Sequence, residues 1–477
     1  MGMDTNGLSR EEIRKRKRKK ERLQAFVALA AILLVIAIVI GAAGFAVVRI
    51  FSKDKKETKE PQVDAVAAES VIQETEEPMQ QETDVAEEPE EVLQEEIQEE
   101  IQEEVQEEVQ EETAEDDFDF LEENTEETLA LEQAVEDKVN AMTLEQKVAT
   151  LFFVTPGQLM ETTSPVTTVG GEFGEKIKAY PVGGIMLDDS NMAEDADFKV
   201  LITSIMTYSS GDIFIGVEHE GGDDSPLVTG GQTENVIASN KEIGESLGTS
   251  GAYSAAISSG SLLKEFAINV NFAPNIDVSL KSGSVAEKEG FGADAQTTAE
   301  LGKYYISGLK DQGIYSAAKY FPSYGDVTHD GSNGQVISQR TKEDLAGEYA
   351  PYLEAIEAGA SFVMVSHVSL PKVRGDNRPA SLSSEVITDI IRTEWGYDGI
   401  VITDFMNKSC MFQEYTYAEA AVGAIEAGAD MILTPKNFMK SYNGILEAVQ
   451  NGTLTEERID ESVKRIYRVR LASKVTG

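Results

Sequence analysis

Eight short runs of β-branched and other apolar residues recur along the second part of the chain, with longer helix-type patterns between them. This alternation is typical of parallel sheets, because each parallel strand needs a crossover segment before the next one begins. The runs lie at 149–155, 182–187, 213–218, 268–273, 314–319, 361–366, 399–403 and 429–434. Eight strands within 135–477 favour an α/β fold of the (β/α)8 TIM-barrel type over an open doubly wound sheet, which has no reason to stop at eight.

A basic segment and an apolar segment precede the barrel. Residues 1–24 are rich in Lys and Arg, whereas residues 25–48 contain no charged side chain. About twenty apolar residues in a helix cross a bilayer, and this run is longer than the core of a signal peptide. We expect a retained transmembrane helix at 25–48. The basic flank then forms a cytoplasmic tail, and the rest of the chain lies outside the cell.

An acidic, low-complexity segment fills residues 49–134. It holds no Lys or Arg from Glu60 onward and carries most of the formal net charge of −44. Such a composition cannot bury enough apolar surface to offset the entropy of ordering, so we expect a disordered stalk. Transient helix formation and cation binding are the alternatives for this segment.

Polar residues follow the predicted strands at the end where barrel proteins place their sites. Glu218, His219 and Glu220 follow the third run, and His329 falls in the loop after the fifth run. His367 and Asp404 follow the sixth and seventh runs. Three histidines and several carboxylates also suit a metal site, but no HxH or HExxH spacing supports one.

Several stretches at these strand ends resemble the β-N-acetylhexosaminidase branch of glycoside hydrolase family 3. The most extensive match is residues 363–406, VMVSHVSLPKVRGDNRPASLSSEVITDIIRTEWGYDGIVITDFM. Shorter matches are VGGIML, the EHEGG turn (D-Q-E-G-G in the family), NFAPNIDV and KYFPSYGD (K-H-F-P-G-H-G in the family). They occur in the family order and cover essentially all of 140–477.

The resemblance implies removal of a terminal β-linked N-acetylhexosamine with retention, through a covalent glycosyl-enzyme. Asp404 matches the nucleophile, Lys319 the sugar-binding lysine and His367 the histidine that closes the sixth strand. Glu218 and Tyr320 stand at two further sugar-contacting positions. An aspartate that caps the next helix is the alternative for Asp404, and Lys319 and His367 could instead be structural.

The chain also departs from the family pattern. The family's acid/base histidine belongs to a D-S-H triplet, and the corresponding residues here are Asp330, Gly331 and Ser332. A serine hydroxyl is too weak an acid to protonate a leaving oxygen near neutral pH. A shifted register could present His329 beside Asp330, which would pair an imidazole with a carboxylate. An arginine before F-G in the family is replaced by Glu289.

The sequence thus predicts a retaining β-glycosidase at the cell membrane that acts on wall or host glycans. Its catalytic residues would be Asp404, His329 and Asp330, and its sugar contacts Glu218, Lys319, Tyr320 and His367. The alternatives are a catalytically inactive barrel that binds glycan or a surface protein, and a barrel with altered chemistry. We expect no cofactor, metal or nucleic acid, and the sequence identifies no protein partner.

Overall fold

The computed structural model describes residues 116–192, 197–211 and 213–475, and it contains the predicted eight parallel strands. Seven strands are one to four residues shorter than their apolar runs, and the fifth extends two residues beyond its run. The strands are β1 Phe152–Val154, β2 Gly184–Met186, β3 Phe214–Val217, β4 Val270–Asn271, β5 Tyr315–Phe321, β6 Phe362–Val365, β7 Ile400–Thr403 and β8 Ile432–Leu433.

These strands form one nearly closed parallel barrel. Each strand from β1 to β6 pairs with the next, and β8 pairs with β1 through Phe152 and Ile432. A single parallel bridge between Ile402 and Met431 joins β7 to the segment before β8. The predicted barrel fold is therefore confirmed. A separate two-stranded ribbon, Val336–Ile337 with Val368–Ser369, links the loops after β5 and β6.

Helices lie between the strands, as the crossover connections of a parallel barrel require. The helices of at least seven residues are Asp116–Asn140, Leu144–Thr150, Gly171–Ala179, Phe198–Tyr208, Gly248–Glu265, Ala295–Asp311, Tyr349–Glu357, Glu385–Glu394, Tyr417–Ala427, Phe438–Gln450 and Glu456–Val475. The shorter helical segments are Pro156–Leu159, Asp189–Asn191, Pro226–Thr229, Asn240–Glu242, Ile243–Leu247, Val285–Glu289, Lys342–Ala346, Pro371–Arg374, Ala380–Leu382 and Ser409–Phe412.

Aromatic side chains fill the interior of the barrel. The ring of Phe153 lies 5.0 Å from that of Phe272, and the ring of Phe214 lies 5.3 Å from that of Phe362. Gly184 makes room for this cluster, since a Cβ atom there would lie 2.4 Å from the Phe153 ring. Because the interior is filled, any ligand site must lie at the rim.

The first described helix, Asp116–Asn140, extends into the segment expected to be a disordered stalk. That expectation is corrected for residues 116–134, which are helical. Val135 and Val139 are fully buried against the barrel, and Leu131 packs beside them. Burial of this apolar stripe stabilises a helix whose acidic composition would not form one in isolation.

The remaining expectations for the N-terminal region concern residues outside the described part of the chain. These are the cytoplasmic tail, the transmembrane helix at 25–48 and the stalk before residue 116. Within 116–192, 197–211 and 213–475, no helix has both the length and the apolar composition needed to span a bilayer.

Candidate active site

A hollow of about 420 Å³ opens at the carboxyl ends of the strands. The loops after β3, β4, β5 and β7 contribute its walls, so it lies where barrel proteins place their sites. Most of its lining side chains are charged or polar. The lining residues are Glu218, Glu220, Gly221, Asp224, Ser225, Pro226, Val285, Glu289, Tyr320, Asp330, Ser332, Phe405, Asn407 and Lys408.

Asp404 follows β7 directly, and three residues of the same loop, Phe405, Asn407 and Lys408, line the hollow. Its own side chain has no exposed surface. The Tyr324 hydroxyl donates a hydrogen bond of 2.6 Å to Oδ2 of Asp404. The amide of Phe405 donates to Oδ1 over 2.6 Å. The predicted nucleophile therefore lies beneath the floor of the hollow and is held by three donors, the third being Lys408.

Lys408 connects Asp404 to the loop after β5. Its ammonium lies 2.7 Å from Oδ2 of Asp404 and 2.9 Å from Oδ2 of Asp330. Burial alone would raise the pKa of Asp404, but the charge of Lys408 and the hydrogen bonds donated by Lys408 and Tyr324 lower it below its ordinary value. The Asp404 carboxylate is therefore ionised, as a nucleophile must be.

A close approach between two loops brings Asp330 to Lys408. The carbonyl of Gly331 accepts a hydrogen bond from the amide of Cys410 over 3.1 Å. Gly331 has a φ of +93°, and a Cβ atom there would lie 2.7 Å from the Cys410 sulfur. Glycine is therefore required at this point of the loop.

Asp330 is ionised in this arrangement. Burial opposes its charge, but Lys408 and the hydrogen bonds from Ser332 outweigh it and lower the pKa of Asp330 to about 2. A carboxyl group with such a pKa has no proton to give to a leaving oxygen near neutral pH. In this conformation Asp330 binds Lys408 and does not act as a general acid.

The predicted sugar contacts Lys319, Tyr320 and Glu218 come together in one cluster. Lys319 is fully buried, and its ammonium lies 2.6 Å from Oε1 of Glu218 and 2.9 Å from Oε2 of Glu220. The Tyr320 hydroxyl donates to the same Glu218 oxygen over 2.7 Å. Burial opposes the ammonium, but the two glutamates raise the pKa of Lys319 above its ordinary value. Lys319 therefore stays charged, and it lies behind the wall of the hollow that Glu218 and Glu220 form.

Asp277 fixes the end of β5 and the loop after it, where Tyr320 and Tyr324 lie. This buried carboxylate accepts hydrogen bonds from the amides of Tyr320 and Tyr324, at 3.0 and 2.8 Å. It also accepts one from the Tyr352 hydroxyl at 2.7 Å. One side chain thus positions both tyrosines of the site.

His367 lies beneath the loop of Asp404. Its Nδ1 is 2.8 Å from the Ser381 hydroxyl, and its Nε2 is 3.2 Å from the carbonyl of Phe405. Burial lowers the pKa of His367, although Asp404 acts in the opposite direction. A neutral ring that donates to Phe405 and accepts from Ser381 satisfies both contacts. His367 therefore holds the loop of Asp404 from below.

The other two histidines occupy different environments. His329 is half-buried, and its Nδ1 finds no hydrogen-bond partner within the described residues. The Asp330 carboxylate is bound by Lys408 and Ser332, so the structure does not show His329 paired with it. His219 is fully buried, and burial lowers its pKa to about 4.

Two residues of the site, Lys408 and Tyr324, were missed from the sequence. The spacing of four residues between Asp404 and Lys408 was the available signal for the first. Tyr324 stands at the second histidine position of the family pattern K-H-F-P-G-H-G. Among the described residues, no group of three or more His, Cys, Asp or Glu side chains is arranged to hold a metal ion.

The fold and the hollow place the chain among the (β/α)8 barrels whose site is built by loops at the strand ends. Residues 143–469 match the family described as glycosyl hydrolase family 3 N terminal domain. This match covers more than half of the chain. The chain belongs to glycosyl hydrolase family 3, as the sequence motifs predicted.

Individual relatives agree with the family. A beta-N-acetylglucosaminidase/beta-glucosidase of Cellulomonas fimi is 27% identical over 62% of this chain and 53% of its own length. A beta-hexosaminidase of Psychromonas ingrahamii is 30% identical over 54% of this chain and 77% of its own length. The chain spans 53% and 56% of the first two curated relatives that it matches.

Solved structures show the same barrel. A family 3 beta-N-acetylglucosaminidase from a Paenibacillus species superimposes with a TM-score of 0.64 and 32% identity. That match covers 71% of this chain and 64% of the other. The protein LpqI of Mycobacterium tuberculosis superimposes with a TM-score of 0.59 and 25% identity, over 68% of this chain and 93% of its own.

Proposed function

We propose that this chain is a retaining β-glycosidase of the β-N-acetylhexosaminidase type that acts on wall or host glycans. The observation that carries the proposal is the ionised carboxylate of Asp404 at the end of β7, next to a hollow large enough for a sugar. The names of the relatives from Cellulomonas and Paenibacillus support the same type of substrate.

Each chemical step follows from a carboxylate nucleophile. An Asp404 oxygen forms a bond to the anomeric carbon while the bond from that carbon to the leaving oxygen breaks, and the leaving oxygen takes a proton from solvent. Water then attacks the anomeric carbon, the bond to Asp404 breaks, and the water's proton passes to solvent. Two inversions give overall retention. Before the first step, substrate must move Lys408 or Phe405 aside, because Asp404 is fully covered.

Turnover of an aryl β-N-acetylglucosaminide by the full chain in detergent tests this function. We expect hydrolysis that Asp404→Asn abolishes, with the β-anomer as first product by NMR. Asp389→Asn is a matched control, since this aspartate is exposed on the helix Glu385–Glu394. Activity that survives Asp404→Asn, or an α-anomer as first product, would contradict the proposed mechanism.

A barrel that binds glycan without hydrolysing it is the second candidate. Two observations favour it: Asp404 has no exposed surface, and the loop after β5 places a serine, Ser332, at the acid/base position. In that case the full chain binds a sugar but releases no product. Sugar binding measured beside the turnover assay separates the two functions.

Attachment to the cell membrane is part of the proposed function. The uncharged run at 25–48, flanked by the basic segment 1–24, supports a single span with the barrel outside the cell. Fractionation of expressing cells, followed by protease treatment of intact cells, tests it. Recovery of the protein in the membrane fraction with a protease-accessible barrel is the expected result. A freely released protein, or a barrel protected in intact cells, would contradict it.

A further inference from the structure

Carboxyl groups outnumber ammonium groups around the hollow. The carboxyl groups that line it belong to Glu218, Glu220, Asp224, Glu289 and Asp330, and the one lining ammonium group belongs to Lys408. Lys319 lies behind this lining and pairs with Glu218 and Glu220, while Lys408 pairs with Asp330 and Asp404. Both ammonium groups near the hollow are therefore already shared between two carboxylates.

Two carboxyl groups of the lining lack a cation. Within the described residues, neither Asp224 nor Glu289 has a Lys, Arg or His nitrogen within 4.0 Å. They enter the hollow from the loop after β3 and from the helix Val285–Glu289. Glu218 and Glu220 line the same wall, and their side chains are 28% and 22% exposed. A ligand in the hollow therefore meets a wall of net negative charge.

We propose that the hollow selects a terminal β-linked hexosamine whose 2-amino group is free, in preference to its N-acetylated form. A free amine carries a positive charge near neutral pH, and an ammonium within a few ångströms of unpaired carboxylates gains attraction that a neutral acetamido group does not. The position of Glu289 supports this choice, because it replaces the arginine expected before Phe291 and Gly292.

The raised pKa of Glu289 is consistent with a site that binds a cation. Burial of its carboxyl group and the nearby charge of Glu220 raise the pKa of Glu289 to about 7, although Lys319 opposes this. The carboxylates of Glu218 and Asp277 act in the same direction as Glu220. A ligand ammonium beside this group would relieve the repulsion among these carboxylates.

The proposed chemistry tolerates the loss of the acetyl group. This specificity rests on the proposed function, which places the sugar in the hollow with Asp404 as nucleophile. Because a protein carboxylate attacks the anomeric carbon, the reaction does not use the substrate's acetamido oxygen. The 2-substituent is then free to determine binding.

Calorimetry with Asp404→Asn in the full chain tests the specificity apart from turnover. The probes are the β-1,4-linked dimer of glucosamine and its di-N-acetylated counterpart at pH 7. We expect the amine dimer to bind about tenfold or more tightly. The double substitution Asp224→Asn with Glu289→Gln should remove that preference. Glu447→Gln, which removes one charge from an exposed helix position, is the control that leaves it unchanged.

The outcomes separate this inference from the proposed function. Equal binding of the two dimers, tighter binding of the acetylated dimer, or binding of neither overturns the inference. A preference that survives the double substitution overturns it as well. If the acetylated aryl glycoside is hydrolysed through Asp404 while no amine preference exists, the proposed function stands alone. If the amine dimer is preferred but the aryl β-N-acetylglucosaminide is not hydrolysed, the specificity stands and the catalytic proposal fails.

Discussion

The ammonium of Lys408 lies between Asp404 and Asp330, 2.7 Å from one carboxylate and 2.9 Å from the other. One lysine thus pairs with two residues that the sequence assigns to catalysis. It lowers the pKa of Asp404, and its ammonium lies against the Asp404 oxygen that would attack the sugar in the proposed reaction. Lys408 therefore stabilises the ionised carboxylate and limits access to it.

Lys408→Met should increase the rate of hydrolysis of aryl glycosides at pH 7 by about tenfold. The substrate then no longer has to break the ion pair between Lys408 and Asp404, which lowers the activation free energy by about 1.4 kcal/mol. With the ammonium gone, burial is left to raise the pKa of Asp404. The acidic limb of the rate profile, where Asp404 must lose its proton, then moves to higher pH. Profiles of kcat/KM against pH for wild type, Lys408→Met and Lys408→Arg check this. A slower Lys408→Met enzyme would show instead that Lys408 assists catalysis.

Azide should accelerate turnover of an aryl glycoside with a good leaving group. In the loop after β5, Asp330 is a weak base because its pKa is about 2, and Ser332 is a neutral hydroxyl. Activation of water in the second step should therefore be slow. A small anion needs no general base and attacks the glycosyl-enzyme directly. We expect a several-fold rise in kcat and a β-glycosyl azide product by mass spectrometry and NMR. Chloride at equal ionic strength is the control, and an unchanged rate with no azide adduct would argue against a slow second step.

Asp277→Asn should destabilise the barrel by about 3 kcal/mol, since a buried acceptor of three hydrogen bonds loses part of its accepting capacity. Tyr320 and Tyr324 depend on it for their backbone positions. Turnover and sugar binding should therefore fall as well. Tyr352→Phe removes one of the three donors and should cost about 1 kcal/mol. Urea unfolding of the two variants measures both values, and equal losses would contradict a shared anchoring role.

Val139→Asp should destabilise the protein by about 3 kcal/mol or more, because it places an unpaired charge in a fully buried position. Leu129→Asp, in the same helix but 64% exposed, is the matched control and should change little. Thermal unfolding followed by circular dichroism compares them. Similar melting temperatures for the two variants would mean that Asp116–Asn140 is not part of the folded barrel.

The barrel could be predicted from the sequence because its strands are buried on both sides and appear as apolar runs. All eight strands formed near the predicted positions, although β4 and β8 keep only two residues each. The helix Asp116–Asn140 could not be predicted, since its stability comes from contacts with the helix Glu456–Val475, more than three hundred residues away. Local composition alone indicated disorder.

The sequence indicated which residues lie close together at the rim, but not how they pair. Glu218, Tyr320 and Asp330 line one hollow, and Asp404 and Lys319 lie behind its lining. Their ion-pair partners depend on how loops from different strands fold over the rim. Tyr324 donates a hydrogen bond to Asp404, eighty residues later in the chain. No pattern of apolar and polar residues predicts such a contact. His329 and Asp330 are adjacent in sequence, but the carboxylate of Asp330 pairs with Lys408 and not with His329.

The first and last described helices lie side by side. Arg468 binds Glu132, and Lys464 pairs with Glu136. Tension applied to the chain before residue 116 would therefore reach this helix pair before it reached the strands. The ion pairs and buried contacts along the two helices would share such a load, so the barrel and its hollow would keep their shape while the protein is pulled from its amino-terminal side.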